Sequence, residues 1–174
     1  MTPVWNESFL RIVGRWGLAL IVLFFLFVLS AFPFRIAHLG EVRPVFMLMA
    51  VYYWTILRPV PPLAVFMVGL ALDLLSDYTF GMNALILVAA QWLTGSQRKF
   101  LLGQSFLVIW AGFALIALGA GTVQWLLFTL FNLALVPAKP MLISVVLSTF
   151  LFPLLVLPLS AVHKALADDP SSVA

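Results

Sequence analysis

The chain has no cysteine and very little charge. Without cysteine there is no disulfide frame and no thiolate metal site, and the redox state of the compartment leaves no mark. Only two histidines occur, His38 and His163, and neither has metal-ligand spacing around it. Charged residues make up 9% of the 174, against roughly 25% in ordinary soluble domains. Nine Lys and Arg with six Asp and Glu cannot cover the surface of a soluble globule. Disorder is excluded too, because it requires low hydrophobicity and high charge. No internal repeat occurs, and no loop is long enough for a soluble domain.

What is present is apolar surface. The AVILMFWYC residues amount to 64%, against roughly 45–50% in soluble domains, and mean hydropathy is +1.18. The composition predicts an all-α integral membrane protein. In a bilayer only helices and closed barrels satisfy every backbone group.

The apolar runs predict about six spans in one polytopic domain, residues 1–164, at about 17–33, 44–57, 62–76, 81–95, 105–131 and 141–162. The first follows Arg11 and Arg15 and ends at Pro33-Phe34-Arg35. A signal peptide has the same outline, but this run is long and its cleavage site poor, so a retained signal-anchor fits better. The segment from Arg35 to Arg43 reads as a short loop. Pro44 opens the second run, where proline at the first turn costs no hydrogen bond. Tyr52, Tyr53 and Trp54 cluster near its end, as interfacial aromatics do. Gly81 suits a turn with positive φ. The polar run Thr94 to Lys99 ends the fourth span. The sixth is expected to be interrupted at Pro153 and Pro158. The tail, 165–174, is polar.

Orientation follows from cations in short loops. With the N-terminus inside, inner segments hold Arg11, Arg15, Arg58, Arg98, Lys99 and Lys164; outer loops hold Arg35, Arg43 and Lys139. Six against three predicts both termini in the cytoplasm. The nine cations are dispersed, so they read as topology signals and no nucleic-acid partner is expected.

Asp73 stands out, because a carboxylate inside a span is costly and is a functional candidate by default. Asp77 follows at i+4 on the same helix face. Arg43 enters from the same side, so an Arg43–Asp73 or Arg43–Asp77 pair is geometrically allowed. A polar clamp between helices is the expected role; a proton or substrate relay and a partner contact are alternatives. Arg43-Pro44 and Arg58-Pro59 bracket the second span as interface anchors. Arg58 is also placed to meet a partner or an anionic lipid headgroup. Gly112 and Gly119 share one face of the fifth span, as do Ala117 and Gly121, and small residues let helices approach closely. Asn83, Gln91 and Gln124 suit interhelical hydrogen bonds. No Ser-His-Asp set, HExxH or Gly-rich phosphate loop occurs, so no enzyme and no cofactor is expected.

The order of landmarks resembles the rod shape-determining MreD family. The resemblance is carried by Arg43-Pro44-Val45-Phe46-Met47-Leu48, Tyr53-Trp54, Arg58-Pro59, Gly69-Leu70-Ala71-Leu72-Asp73-Leu74-Leu75-Ser76, Gly81 and Ala84-Leu85. Many MreD-like chains carry an acid after the Arg-Pro, where Val45 stands here. From Ser105 onward the match is by hydropathy only. The resemblance implies six helices like the S components of energy-coupling-factor transporters. It also implies a non-catalytic component of the bacterial cell-wall elongation complex in the inner membrane. The implied partners are an MreC-like bitopic protein, RodA with a class B penicillin-binding protein, the MreB filament and membrane lipids. Arg43, Pro44, Gly69, Asp73 and Gly81 carry over as structural or partner-binding landmarks. The alternative is a vitamin-binding S component. S components commonly present Ala-xxx-Ala on the first helix; here Leu23 follows Ala19 at that spacing.

Overall fold

A computed structural model describes residues 21–30, 34–36, 40–42, 45–58, 60–75, 80–132 and 137–167. Among them the chain is helical apart from one short hairpin. The elements run α1 (Ile21–Ser30), β1 (Phe34–Ile36), β2 (Gly40–Val42), α2 (Phe46–Leu57), α3 (Pro62–Leu75), α4 (Met82–Leu101), α5 (Phe106–Asn132) and α6 (Lys139–Ala167). The strands are antiparallel, with Phe34 opposite Val42 and Ile36 opposite Gly40. Here the sequence suggested only a loop. Phe, Ile and Val favour extended backbone, and the polar residues between them hid that preference.

The helices α5 and α6 are long and apolar enough to cross a membrane. Only 11% of the apolar stretch in α5 and 17% of that in α6 is buried. A core helix of a soluble protein would be mostly covered. Leu115 and Phe150 point outward at 72% and 70% exposure. The helices α2 and α3, of 12 and 14 residues, extend about 18 and 21 Å at 1.5 Å per residue. That is less than a hydrocarbon core of about 30 Å.

The core sits around α2. A helix that is apolar all round belongs in a core or in lipid. Every residue from Phe46 to Tyr52 is buried, so α2 is the core case. It lies among α4, α5 and α6, while α3 pairs with α4 and α5 with α6. Burying a whole short helix leaves its terminal N–H and C=O groups without water. Other helices supply the partners. The Ser148 hydroxyl of α6 accepts the Val45 N–H at 3.0 Å, and the Ser30 hydroxyl of α1 accepts that of Met47 at 3.0 Å. At the other end the Arg98 guanidinium of α4 donates to the carbonyls of Ile56 (2.8 Å) and Leu57 (3.0 Å). A cation there also offsets the negative end of the helix dipole.

Tyr52 anchors the middle of the bundle. Its ring meets Phe113 and Phe152 at centroid distances of 5.5 and 5.8 Å, and those two stack at 4.4 Å. Its hydroxyl donates to the Ile109 carbonyl at 2.9 Å. Tyr52 is therefore a core residue rather than an interfacial one. Its neighbours Tyr53 and Trp54 are half-buried.

Two boundaries differ from expectation. The helix α4 continues past Gly95 to Leu101. Gln, Arg and Lys are good helix formers, so their polarity marks a change of environment rather than an end. And α6 is continuous through Pro153 and Pro158. Pro153 has no N–H to give the Thr149 carbonyl one turn back. The Trp110 indole of α5 takes that carbonyl instead, at 2.7 Å. Trp110→Phe is expected to orphan it and cost about 1–3 kcal/mol, read as a lower melting temperature in detergent. An unchanged melting temperature would contradict this account of the proline.

Candidate functional site

Three of the sequence candidates, Gly69, Asp73 and Gly81, meet where α3 packs against the start of α4. Gly69 and Asp73 stand one turn apart on α3 and face the start of α4. A Cβ on Gly69 would overlap the Cα of Ala84, so the two backbones touch there. Small residues permit such contact in apolar surroundings. Gly81 begins α4 with φ at +89°, a conformation that glycine adopts without steric cost.

Asp73 supplies the cap. Its Oδ2 accepts the N–H of Gly81 at 3.0 Å and of Ala84 at 3.3 Å, and its Oδ1 accepts that of Asn83 at 2.9 Å. The residue is only 4% exposed. A buried carboxylate needs such donors, and a helix N-terminus offers unpaired N–H groups with a positive dipole end. Gly81 has no side chain to cap with, so a residue of the preceding helix does it. The result is a clamp that fixes α3 against α4.

The remaining candidates fall into separate places. Arg43, Pro44 and Asp77 lie outside the described residues, and with them the Arg43–Asp73 and Arg43–Asp77 pairings. Arg58 is exposed at the C-cap of α2, its N–H on the Trp54 carbonyl at 2.8 Å. Gly112 and Gly119 do not act as a pair. A Cβ on Gly112 would meet the Tyr52 hydroxyl at 2.7 Å, whereas Gly119 faces open space. In the other small pair, Gly121 does face α6. Ala117 is 1% exposed, and a Cβ on Gly121 would meet Val145 at 2.8 Å. Gln91 donates to the Val60 carbonyl at 2.6 Å, tying α4 to the chain before α3.

Gly112→Leu is expected to displace Tyr52 and cost about 1–3 kcal/mol, whereas Gly119→Leu should leave the melting temperature nearly unchanged. Equal losses would show that both glycines pack.

The packing and capping roles of Arg98, Ser148 and Tyr52 escaped the sequence reading, which took Tyr52 for an interfacial aromatic and Arg98 for a topology signal. Each serves a partner 40 or more positions away, and no local pattern marks that. Among the described residues no group of three or more His, Cys, Asp or Glu side chains could hold a metal ion. Both oxygens of Asp73 are engaged by backbone donors, so the arrangement does mechanical work. It holds two helices in register.

No family model, curated protein or solved structure matches the chain.

Proposed function

We propose that this protein is a non-catalytic, MreD-like component of the bacterial cell-wall elongation complex. In this reading it spans the inner membrane six times, with both termini in the cytoplasm. It binds an MreC-like bitopic protein and helps position RodA and a class B penicillin-binding protein along the MreB filament. One observation supports the reading best: three of the landmarks carrying the resemblance, Gly69, Asp73 and Gly81, meet in a single clamp. The acid within the apolar helix thus has a fold-forming task, which suits a protein that holds partners. The exposed apolar faces of α5 and α6 suit a chain surrounded by lipid and partner helices. Successive helices from α2 to α6 alternate in direction, as spans joined by short loops do. The ends of α2 and α4 meet at Arg98, and the end of α3 meets the start of α4 at Asp73.

Depletion of the protein in the bacterium that makes it is expected to turn rods into spheres, followed by microscopy over several generations. Cells that keep their rod shape after the protein is gone would sink the proposal.

A further inference from the structure

The two flanks of the bundle offer lipid very different apolar lengths. On one flank α3 packs against α4 and turns Leu63, Phe66, Met67, Leu74 and Leu75 outward. Leu63 and Leu74, near its two ends, are 67% and 74% exposed. From Leu63 to Leu75 the helix rises about 18 Å at 1.5 Å per residue. Polar residues bound this band. Exposed Arg58 precedes it, and the sequence continues past Leu75 with Ser76-Asp77.

The helix α4 repeats the measure. At one end its Asn83 N–H is held by Asp73 of α3. At the other its Arg98 guanidinium holds the Leu57 carbonyl, next to Arg58. From Asn83 to Arg98 is about 22 Å along the axis. On the opposite flank α5 exposes apolar residues from Phe106 to Phe131, and that stretch rises about 38 Å.

A hydrocarbon core is about 30 Å thick. The α5 flank exceeds it, and tilting absorbs an excess. The α3–α4 flank falls short by about 8–12 Å. Tilting would only shorten its projection further, so the bilayer must come to the helix. Arg58 can reach outward at one end of the band, which leaves most of the shortfall in place. A spanning partner helix brings about 30 Å of apolar length and would overhang the band. Acyl chains bend and disorder, and so can match it.

We propose that the protein thins the bilayer along its α3–α4 flank, where the surrounding phospholipids carry short or disordered acyl chains. The membrane boundary then slopes around the molecule, from a thin edge at α3 to a full-thickness edge at α5. The inference rests on the reading that these helices stand in a membrane, and not on the complex they serve.

The chain has no cysteine, so each single-cysteine variant carries one nitroxide label. The full chain is reconstituted in dioleoyl-phosphatidylcholine vesicles. Label depth is read from the opposed accessibilities to oxygen and to a polar nickel chelate. Leu63→Cys and Leu75→Cys mark the ends of α3, and Met67→Cys lies between them. Leu115→Cys and Leu126→Cys mark a stretch of nearly equal length on α5, and all five positions are exposed. In an undeformed core of about 30 Å the α3 ends would lie at a mean depth of about 6 Å, much as the α5 pair does. Thinning should bring both α3 ends to headgroup level, a shift of about 6 Å, while Met67→Cys and the α5 pair stay in hydrocarbon. Ends of α3 as deep as the α5 pair would overturn the proposal. So would a Met67→Cys label in water above a deep α5 pair, which would place α3 outside the membrane. Labels in water on α5 as well would remove the membrane reading itself, and the proposal with it. Ala64→Cys and Leu74→Cys, also exposed, replace the end labels if either variant fails to fold.

Discussion

Asp73→Ala is expected to be among the most damaging single substitutions in this chain. It removes the one side chain among the described residues that reaches the N–H groups of Gly81, Asn83 and Ala84. Those groups sit beneath a nearly covered residue, so water replaces the lost acceptor poorly. Loss of a helix cap costs about 0.5–2 kcal/mol. Hydrogen bonds to a charged group contribute about 1.5–3 kcal/mol each, and orphaned buried donors add to the loss. The combined effect should reach about 3–4 kcal/mol, because the three bonds share one carboxylate and are not additive. Asp73→Asn keeps the acceptor oxygen of its amide and should lose about half as much. Thermal unfolding of both variants in one detergent checks the ranking. If Asp73→Ala melts with the parent chain, the clamp is not what joins α3 to α4.

Gly69→Leu should be as severe for a different reason. The obstacle is the backbone of Ala84, which cannot rotate out of the way as a side-chain tip would. Inserting side-chain volume into a packed contact costs about 1–3 kcal/mol when neighbours yield. Here the neighbour is a helix axis, so α3 must move away and pull Asp73 off its donors. The expected outcome is loss of folded protein on size-exclusion chromatography after extraction. Gly119→Leu, which faces open space, is the control and should elute as the parent does. A normal profile for Gly69→Leu would mean that α3 and α4 do not touch there.

These two residues also show what the sequence could reveal. Asp73 and Gly69 were conspicuous because charge and glycine are unusual in apolar helices. Their partners were not, because a backbone N–H and a Cα have no residue type to read. The start of α3 at Pro62 was legible, since proline marks a helix beginning. The end of α4 was not, because Ser96 to Lys99 are as common in polar helix ends as in loops. The small residues of α5 were visible as a stripe. Which of them packs depends on where α2 and α6 lie, and that is set by contacts distant in sequence. The caps on α2 follow from burying a helix of 12 residues, and its burial became plain only once the surrounding helices were in place.

The most direct measurement is co-purification from native membranes in mild detergent, with this chain tagged and its companions identified by mass spectrometry. An MreC-like bitopic protein, with or without the wall synthases, is the result that the account predicts. Recovery of ABC-type ATPases without any such protein would contradict it and assign the chain to substrate capture.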